Sequence, residues 1–495
     1  MKRHLESLAS IKTKIVATVG PVSESLDRLT ELVAAGVDIF RLNMAHGKPD
    51  WREMVLARIR QVSSQLDSPV AVLADLSGPK IRLGPIPTGS LQCESGQILR
   101  FVSTSGAGGD DRDLTSTYPS LVQELKAGDS ILLADGTVSM RVQEKSADAA
   151  VCRVEQAGEI RTGCGINLPG VELQVAALTD KDRADLAWAI EHQIDYIGLS
   201  FVRSAADVRE LHEELSRAKS DARIVAKIEK PQAVAALDEI IDASDAVMVA
   251  RGDLGVEIDV AQIATVQKQI IDRCHQARVP VITATQMLES MRTSRLPTRA
   301  EATDVANAIL DGSDAVMLSA ETAMGQYPVE AVSMMSRIAR EAEQILEPHF
   351  AREKGDGSLF PDRAEGNFAK KTPDPFFVAE SLVEATSRIA HQVQAKLIIV
   401  ATRTGNTALL LSKQRSKTPI VGISDSDRTV RRMCLFWGVS PLAAPHFPDY
   451  SRLLDHVVQW AKAKQLIASG DRVVLIASTH WTPAGHNMIV VHEVS

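Results

Sequence analysis

The sequence predicts an α/β protein: a (β/α)8 TIM barrel with an inserted small all-β domain and a C-terminal α/β open-sheet domain. Three observations predict it. Eight short, nearly continuous apolar runs alternate with amphipathic helical stretches, as strands buried on both faces of a parallel sheet should. A stretch rich in Gly, Ser and Thr interrupts this alternation after the third run, and after a polar connector the α/β grammar resumes.

The eight runs are KIVATVG (14–20), DIFRLNM (38–44), PVAVLADL (69–76), YIGLSF (196–201), RIVAKIE (223–229), AVMVARGDLG (246–255), VPVITATQ (279–286) and AVMLSAE (315–321). Helix ends are readable between them. Ser23 precedes a stripe of Leu26, Leu29, Leu32 and Val33 that stops at Gly36, while Thr179 with Asp182 and Thr298 with Glu301 form capping-box patterns. The barrel is expected over 1–79 and 177–346, and the inserted β domain over 80–176, with a hairpin around Asp135-Gly136. A connector over 347–376 leads to an open sheet over 377–495, built on KLIIVAT, TPIVGIS and DRVVLIAS.

Composition narrows the function classes. The 495 residues carry a net charge of only -8, with both signs scattered, so neither a nucleic-acid groove nor a polybasic membrane anchor is indicated. No run approaches the roughly 20 apolar residues of a membrane span, and no signal-type apolar segment opens the chain, which predicts a cytoplasmic protein. Cys93, Cys152, Cys164, Cys274 and Cys434 are odd in number and widely spaced, the pattern of free thiols rather than of a disulfide framework or a zinc site.

Catalytic residues of a (β/α)8 barrel belong at the carboxyl ends of its strands, and polar residues collect there. Arg41 and Asn43 end the second run, Asp75 the third, Lys227 and Glu229 the fifth, Arg251 and Asp253 the sixth, Thr285 the seventh, and Ser319 with Glu321 the eighth. The period of two along a strand puts Lys227 and Glu229 on one face. Two carboxylates, Glu229 and Asp253, with a lysine suit a hard divalent cation beside a phosphate or enolate. His46 and Asp135 read equally well as loop residues. In the carboxyl-terminal part, TRTGNTALLLSKQR (402–415) reads as a strand end, a Thr/Gly/Asn loop and a helix start, an arrangement that suits a phosphate.

Nearly the whole chain resembles the pyruvate kinase family through KIVATVGP, FRLNMAHG, LADLSGPKIR, GINLPG, KIEKPQAV, MVARGDLGVEI, ITATQMLESM, PTRAEATDVANAILDGSDAVMLSAET and GQYPVEAV. The resemblance implies phosphoryl transfer between phosphoenolpyruvate and ADP by a barrel domain under a β lid, with a carboxyl-terminal regulatory domain and a homotetrameric assembly. It makes Lys227 the catalytic lysine, and Glu229 and Asp253 the ligands of Mg2+ or Mn2+. Gly252, Asp253 and Thr285 would meet the substrate carboxylate, and Thr285 with Ser319 would help deliver a proton to the enolate carbon through an ordered water. Arg41 and Arg82 would bind phosphates, Asn43 and His46 would sit by the nucleotide, and Asp135 would close over the site from the lid.

Two departures stand out. Cys164 replaces the lysine usual before GINLPG, which removes a phosphate contact. Members that need K+ carry glutamate, threonine and serine where this chain has Lys80, Leu76 and Ala45. The chain resembles the branch in which a lysine stands in for potassium, so K+ is not expected to be required. The loop bearing Thr402, Arg403, Thr404, Asn406 and Thr407 matches the family's place for a phosphorylated effector. The later segment HWTPAGHN (480–487), however, lacks the arginines and glycines of fructose-bisphosphate binders, which leaves a sugar monophosphate, a nucleotide or no effector. The alternative reading of the barrel is a metal-dependent lyase or aldolase acting on pyruvate enolates.

Overall fold

The computed structural model describes residues 11–103, 113–171, 175–346, 375–447, 449–477 and 488–495. The connector expected at 347–376 lies outside them apart from its last two residues, as does HWTPAGHN. Strands β1 (Lys14–Thr18), β2 (Ile39–Asn43) and β3 (Ala71–Asp75) are followed by eight strands of different character: β4 (Ser90–Cys93), β5 (Ile98–Val102), β6 (Asp113–Leu114), β7 (Ser130–Leu133), β8 (Val138–Lys145), β9 (Ala149–Gln156), β10 (Gly158–Arg161) and β11 (Ile166–Asn167). Then come β12 (Tyr196–Leu199), β13 (Arg223–Ile228), β14 (Ala246–Ala250), β15 (Val281–Ala284) and β16 (Ala315–Leu318). Strands β1, β16, β15, β14, β13, β12, β3 and β2 close, in that order, into the expected parallel barrel. Every residue of β1, β3, β12, β14, β15 and β16 is buried, which is why these runs are nearly continuous in apolar residues rather than alternating.

Each strand is shorter than its apolar run, because the run continues into the loop that carries chemistry. The clearest correction is AVMVARGDLG. Strand β14 ends at Ala250 and a helix begins at once, Arg251–Glu257, so Arg251 and Asp253 sit in a first helical turn and not on the strand. The first helix, Leu26–Ala35, is capped by Ser25 and not by Ser23, whose buried hydroxyl accepts the Gly20 N–H instead. Gly36 ends it as expected, and both capping boxes form.

Strands β4 to β11 build an all-β region of two sheets: one pairs β10 with β4, and the other runs β11-β7-β8-β9-β5-β6. Its own core includes Leu99, Phe101, Ile131, Met140 and Val154. The Asp135-Gly136 hairpin joins β7 to β8, with Ala134, Asp135 and Gly136 all at positive φ (50°, 55° and 85°). At the carboxyl end, β17 (Leu397–Ala401), β18 (Ile420–Ser424), β19 (Val439–Ala443), β20 (Arg472–Ala477) and β21 (Met488–Glu493) form a sheet in the order β19-β18-β17-β20-β21, parallel except for its last strand.

The chain divides into two compact units, residues 1–74, 193–196 and 274–495, and residues 75–192 and 197–273. Within the first, the helix Asn406–Lys413 ends on the start of β16. Lys413 Nζ lies 2.6 Å from Asp314 Oδ2, and Arg415 reaches Asp314 Oδ1 at 3.1 Å. Asp314 also accepts the Val281 N–H, so one buried carboxylate ties the C-terminal helix to β15 and β16. Within the second unit, Gly198 on β12 lets Asp75 lie against the strand, since a Cβ there would come within 2.8 Å of Asp75 Oδ1. Gly198→Ala should therefore cost about 1–3 kcal/mol as an overpacked core does. Denaturant unfolding would measure it, and a variant as stable as the parent would contradict this packing.

Candidate active site

The second unit gathers a cluster of charges at the ends of β3, β12, β13 and β14. Lys227 sits on β13 and is 8% exposed, so its ammonium has almost no access to water and must be met by protein groups. Its Nζ lies 2.9 Å from Glu229 Oε1 and 3.2 Å from Asp75 Oδ1, and donates to Ser200 Oγ at 2.8 Å. Ser200 donates its hydroxyl hydrogen bond to the Leu76 carbonyl at 2.7 Å, which fixes the hydroxyl as an acceptor toward Lys227.

Glu229 is fully buried. Its Oε2 accepts the N–H of Phe201, a non-glycine residue held at φ 55°. Burial pushes the Glu229 carboxyl above its ordinary value and the negative charge of Asp253 pushes it further, while Lys227 pulls it down. Asp253, near 30% exposed, lies 3.2 Å from Lys80 Nζ through its Oδ1. The helix bearing Gly252 and Asp253 is held from below, because Glu257 Oε1 accepts from Lys230 Nζ at 2.6 Å and from Asn167 of β11 at 3.0 Å. The same helix faces the Asp135-Gly136 hairpin, since a Cβ on Gly136 would lie 3.6 Å from Val256. Asp135 itself is exposed at the hairpin tip. Arg82 is also exposed, with its guanidinium on the Gly163 carbonyl at 3.1 Å.

Among the described residues no group of three or more His, Cys, Asp or Glu side chains gathers as a metal site. Glu229 and Asp253 nevertheless fit a divalent ion. They are two carboxylates, the Glu229 carboxyl raised by burial and further by the Asp253 charge, and Mg2+ characteristically takes one or two carboxylates and completes its shell with waters and substrate phosphates.

The first unit supplies the other strand ends. Arg41, at the end of β2, donates to Thr18 Oγ1 at 3.1 Å, and Asn43 Oδ1 accepts the Ala45 N–H, while His46 is exposed. Thr285 follows β15 at φ 68° and Gln286 at φ 55°, a left-handed pair in which a β-branched residue is a genuine outlier. Ser319 follows β16, and its Oγ is buried without a hydrogen-bond partner among the described residues. The neighbouring Glu321 accepts the N–H groups of Ser319 and Leu288, and burial raises its carboxyl despite them. In the C-terminal sheet, the loop after β17 is closed by Thr402 Oγ1, which accepts the Gly405 N–H at 3.0 Å. Gly405 stands at φ 91°, a conformation that opens the helix at Asn406.

Two contributors escape the sequence reading: Ser200, which orients Lys227, and Thr18, which holds Arg41. Both stand at or just beyond strand ends, where the rule that found the others applies equally to hydroxyls.

Residues 10–332 match the family model "Pyruvate kinase, barrel domain", and residues 380–492 match "Pyruvate kinase, alpha/beta domain". A pyruvate kinase of Geobacillus stearothermophilus is 39% identical over 488 residues, covering 98% of this chain and 80% of that protein. "Pyruvate kinase 2" of Synechocystis is likewise 39% identical, over 98% of this chain and 79% of that one. The crystal structure of a pyruvate kinase from Cryptosporidium parvum superimposes with a TM-score of 0.90 at 33% identity, over 99% of this chain and 97% of that one. Fold and site thus define a barrel phosphotransferase, of a kind that depends on a divalent metal. The chain belongs to the pyruvate kinase family, whose reaction moves a phosphoryl group between phosphoenolpyruvate and ADP, and the lyase or aldolase alternative finds no support. No helix among the described residues is long and apolar enough to cross a membrane.

The electrostatics of the cluster carry a test. Because the Asp253 charge raises the Glu229 carboxyl, Asp253→Asn should shift the Glu229 titration downward, toward the ordinary carboxylate range. Infrared difference titration of the metal-free protein would follow it, and an unchanged or higher titration would separate the two carboxylates.

Proposed function

We propose that Lys227 is the catalytic lysine of a Mg2+- or Mn2+-dependent transfer from phosphoenolpyruvate to ADP that needs no K+. The observation that carries the proposal is the buried Lys227 ammonium, 2.9 Å from Glu229 and 3.2 Å from Asp75. An ammonium fixed in this way is already oriented before substrate arrives. Its charge is available to the transferring phosphoryl group and the developing enolate oxygen without reorganisation, which is what lowers a transition state more than a ground state.

Glu229 and Asp253 would hold the divalent ion, which supplies Lewis-acid polarisation of the same oxygens. Gly252 and Asp253, with Thr285, would meet the substrate carboxylate; the first helical turn at Arg251–Glu257 supports this with backbone N–H groups. Arg41 and Arg82 would contact phosphates, and Asn43 and His46 the nucleotide. Thr285 and Ser319 would hold the ordered water that protonates the enolate carbon, and the partnerless Ser319 Oγ supports a proton route there. Asp135, exposed on its hairpin, would exclude water when the β lid over 80–176 closes. Residues 1–79 with 177–346 would form the catalytic barrel and 377–495 a regulatory domain, joined by 347–376. There Thr402, Arg403, Thr404, Asn406 and Thr407 would take a phosphorylated effector. A homotetramer in the cytoplasm completes the proposal, and the five free thiols suit that compartment.

Lys227→Met should keep the fold and much of the phosphoenolpyruvate affinity while losing phosphoryl transfer. A variant within about tenfold of the parent turnover, roughly 1.4 kcal/mol of barrier, would exclude Lys227 as the catalytic lysine. For potassium, Lys80 places a tethered ammonium on Asp253, while Ala45 and Leu76 offer no side-chain oxygen. The parent should therefore be fully active with tetramethylammonium as the only bulk monovalent cation. Lys80→Glu should be nearly inactive and only partly rescued by K+, with the rescue improved by adding Ala45→Ser and Leu76→Thr. Stimulation of the parent manyfold by K+ at constant ionic strength would overturn this role.

A further inference from the structure

The parallel ladder between β13 and β14 ends at the pair Ile228–Val249. Beyond it the two chains part, one entering the helix Pro231–Ala235 and the other the helix Arg251–Glu257. Glu229 and Asp253 stand on these diverging segments, so the ladder does not itself set how far apart their carboxylates lie. They carry like charge, which pushes them apart.

One ion pair crosses the gap. Lys230, the residue after Glu229, places its Nζ 2.6 Å from Oε1 of Glu257, which lies one helical turn beyond Asp253 at the i, i+4 spacing that shares a face. Both side chains are withdrawn from solvent, Lys230 at 17% exposure and Glu257 at 1%. The Lys230 ammonium also stands over the Phe201 ring, 5.8 Å from its centre, and the Phe201 N–H is the donor to Glu229 Oε2. Asn167 of β11 adds a second donor to Glu257 Oε1, at 3.0 Å. Glu257 is thus a buried anion on the last residue of a helix, the end whose dipole favours a cation. Helix capping does not account for it; its partners do.

We propose that Lys230 and Glu257 are positioning residues that fix the separation of Glu229 and Asp253, and so set the affinity of the divalent-ion site. The inference rests on the reading of those two carboxylates as the ion's ligands. The bridge stands one residue beyond one ligand and one turn beyond the other, where it can hold both against their repulsion. Charge and position predict different outcomes for its removal. Acting only through its field, the bridge would bind a cation more tightly without the Lys230 charge, less tightly without the Glu257 charge, and almost unchanged without both. Acting by holding two segments together, it would bind the cation less tightly in all three cases.

Binding of Mn2+ to the full chain, followed by electron paramagnetic resonance of the free ion, separates the two. Lys230→Met, Glu257→Gln and the double variant should each weaken Mn2+ binding by about tenfold or more, as loss of groups that orient metal ligands does. The double variant should be no weaker than the worse single, since both changes remove one interaction. Each single strands a buried partner and should lower the thermal midpoint, whereas the double leaves no unpaired charge and should recover much of the midpoint without recovering Mn2+ affinity. A role confined to stability would return both together. Lys230→Met binding Mn2+ as tightly as the parent or more so, or a double variant of parental affinity, would overturn the proposal. Glu229→Gln and Asp253→Asn are the controls. Parental Mn2+ binding in these two would remove the ligand reading and the positioning role with it, while loss of binding in them beside parental binding in the bridge variants would remove the positioning role alone.

Discussion

A buried ammonium needs anions around it, and most of the candidate active site is organised by that requirement at Lys227. Removing a lysine from water is costly enough that such a group either loses its proton or acquires partners. Here Asp75 arrives from β3, Glu229 from the end of β13 and Ser200 from beyond β12, so one side chain fixes where three adjacent strands present their ends. Gly198 then follows as a spatial necessity, because Asp75 needs the room a side chain would take. Phe201 and its left-handed backbone follow as well, since its N–H completes Glu229.

A second charge is coupled to the first. Glu229 and Asp253 repel each other, and Lys80 lies on Asp253 from the loop after β3. The cluster therefore sets two like charges, Glu229 and Asp253, between two cations, Lys227 with Asp75 beyond it on one side and Lys80 on the other, and addition of a divalent ion or of phosphate redistributes charge along the whole series. The strained Thr285–Gln286 turn and the partnerless Ser319 hydroxyl belong to the same economy of function over stability, in which local strain persists only where surrounding structure enforces it.

Sequence pattern made most of the architecture legible, because buried parallel strands are written as apolar runs and helix starts as capping boxes. It also placed Lys227 beside Glu229, since a period of two is a local property. Partnerships over long separations were beyond it. Lys80 and Asp253 stand 173 residues apart, and nothing in either segment names the other. Ser200 was missed because serine is common at strand ends and signals nothing until its neighbour is known. The shift of Arg251 and Asp253 from strand to helix has a similar cause: apolar and small residues continue through AVMVARGDLG, and only the turn of the backbone after Ala250 divides them.

Asp314 has a consequence for how this chain is divided in evolution or in the laboratory. It is a buried carboxylate at the foot of β16, and the cations beside it, Lys413 and Arg415, come from beyond the C-terminal helix start. A barrel cut free of residues after 375 would keep the anion and lose both of these counter-ions together with the chain that packs against it. Modularity in sequence thus does not extend to independence in structure: the foot of the barrel and the C-terminal helix share one buried carboxylate, and separating them means re-solvating it.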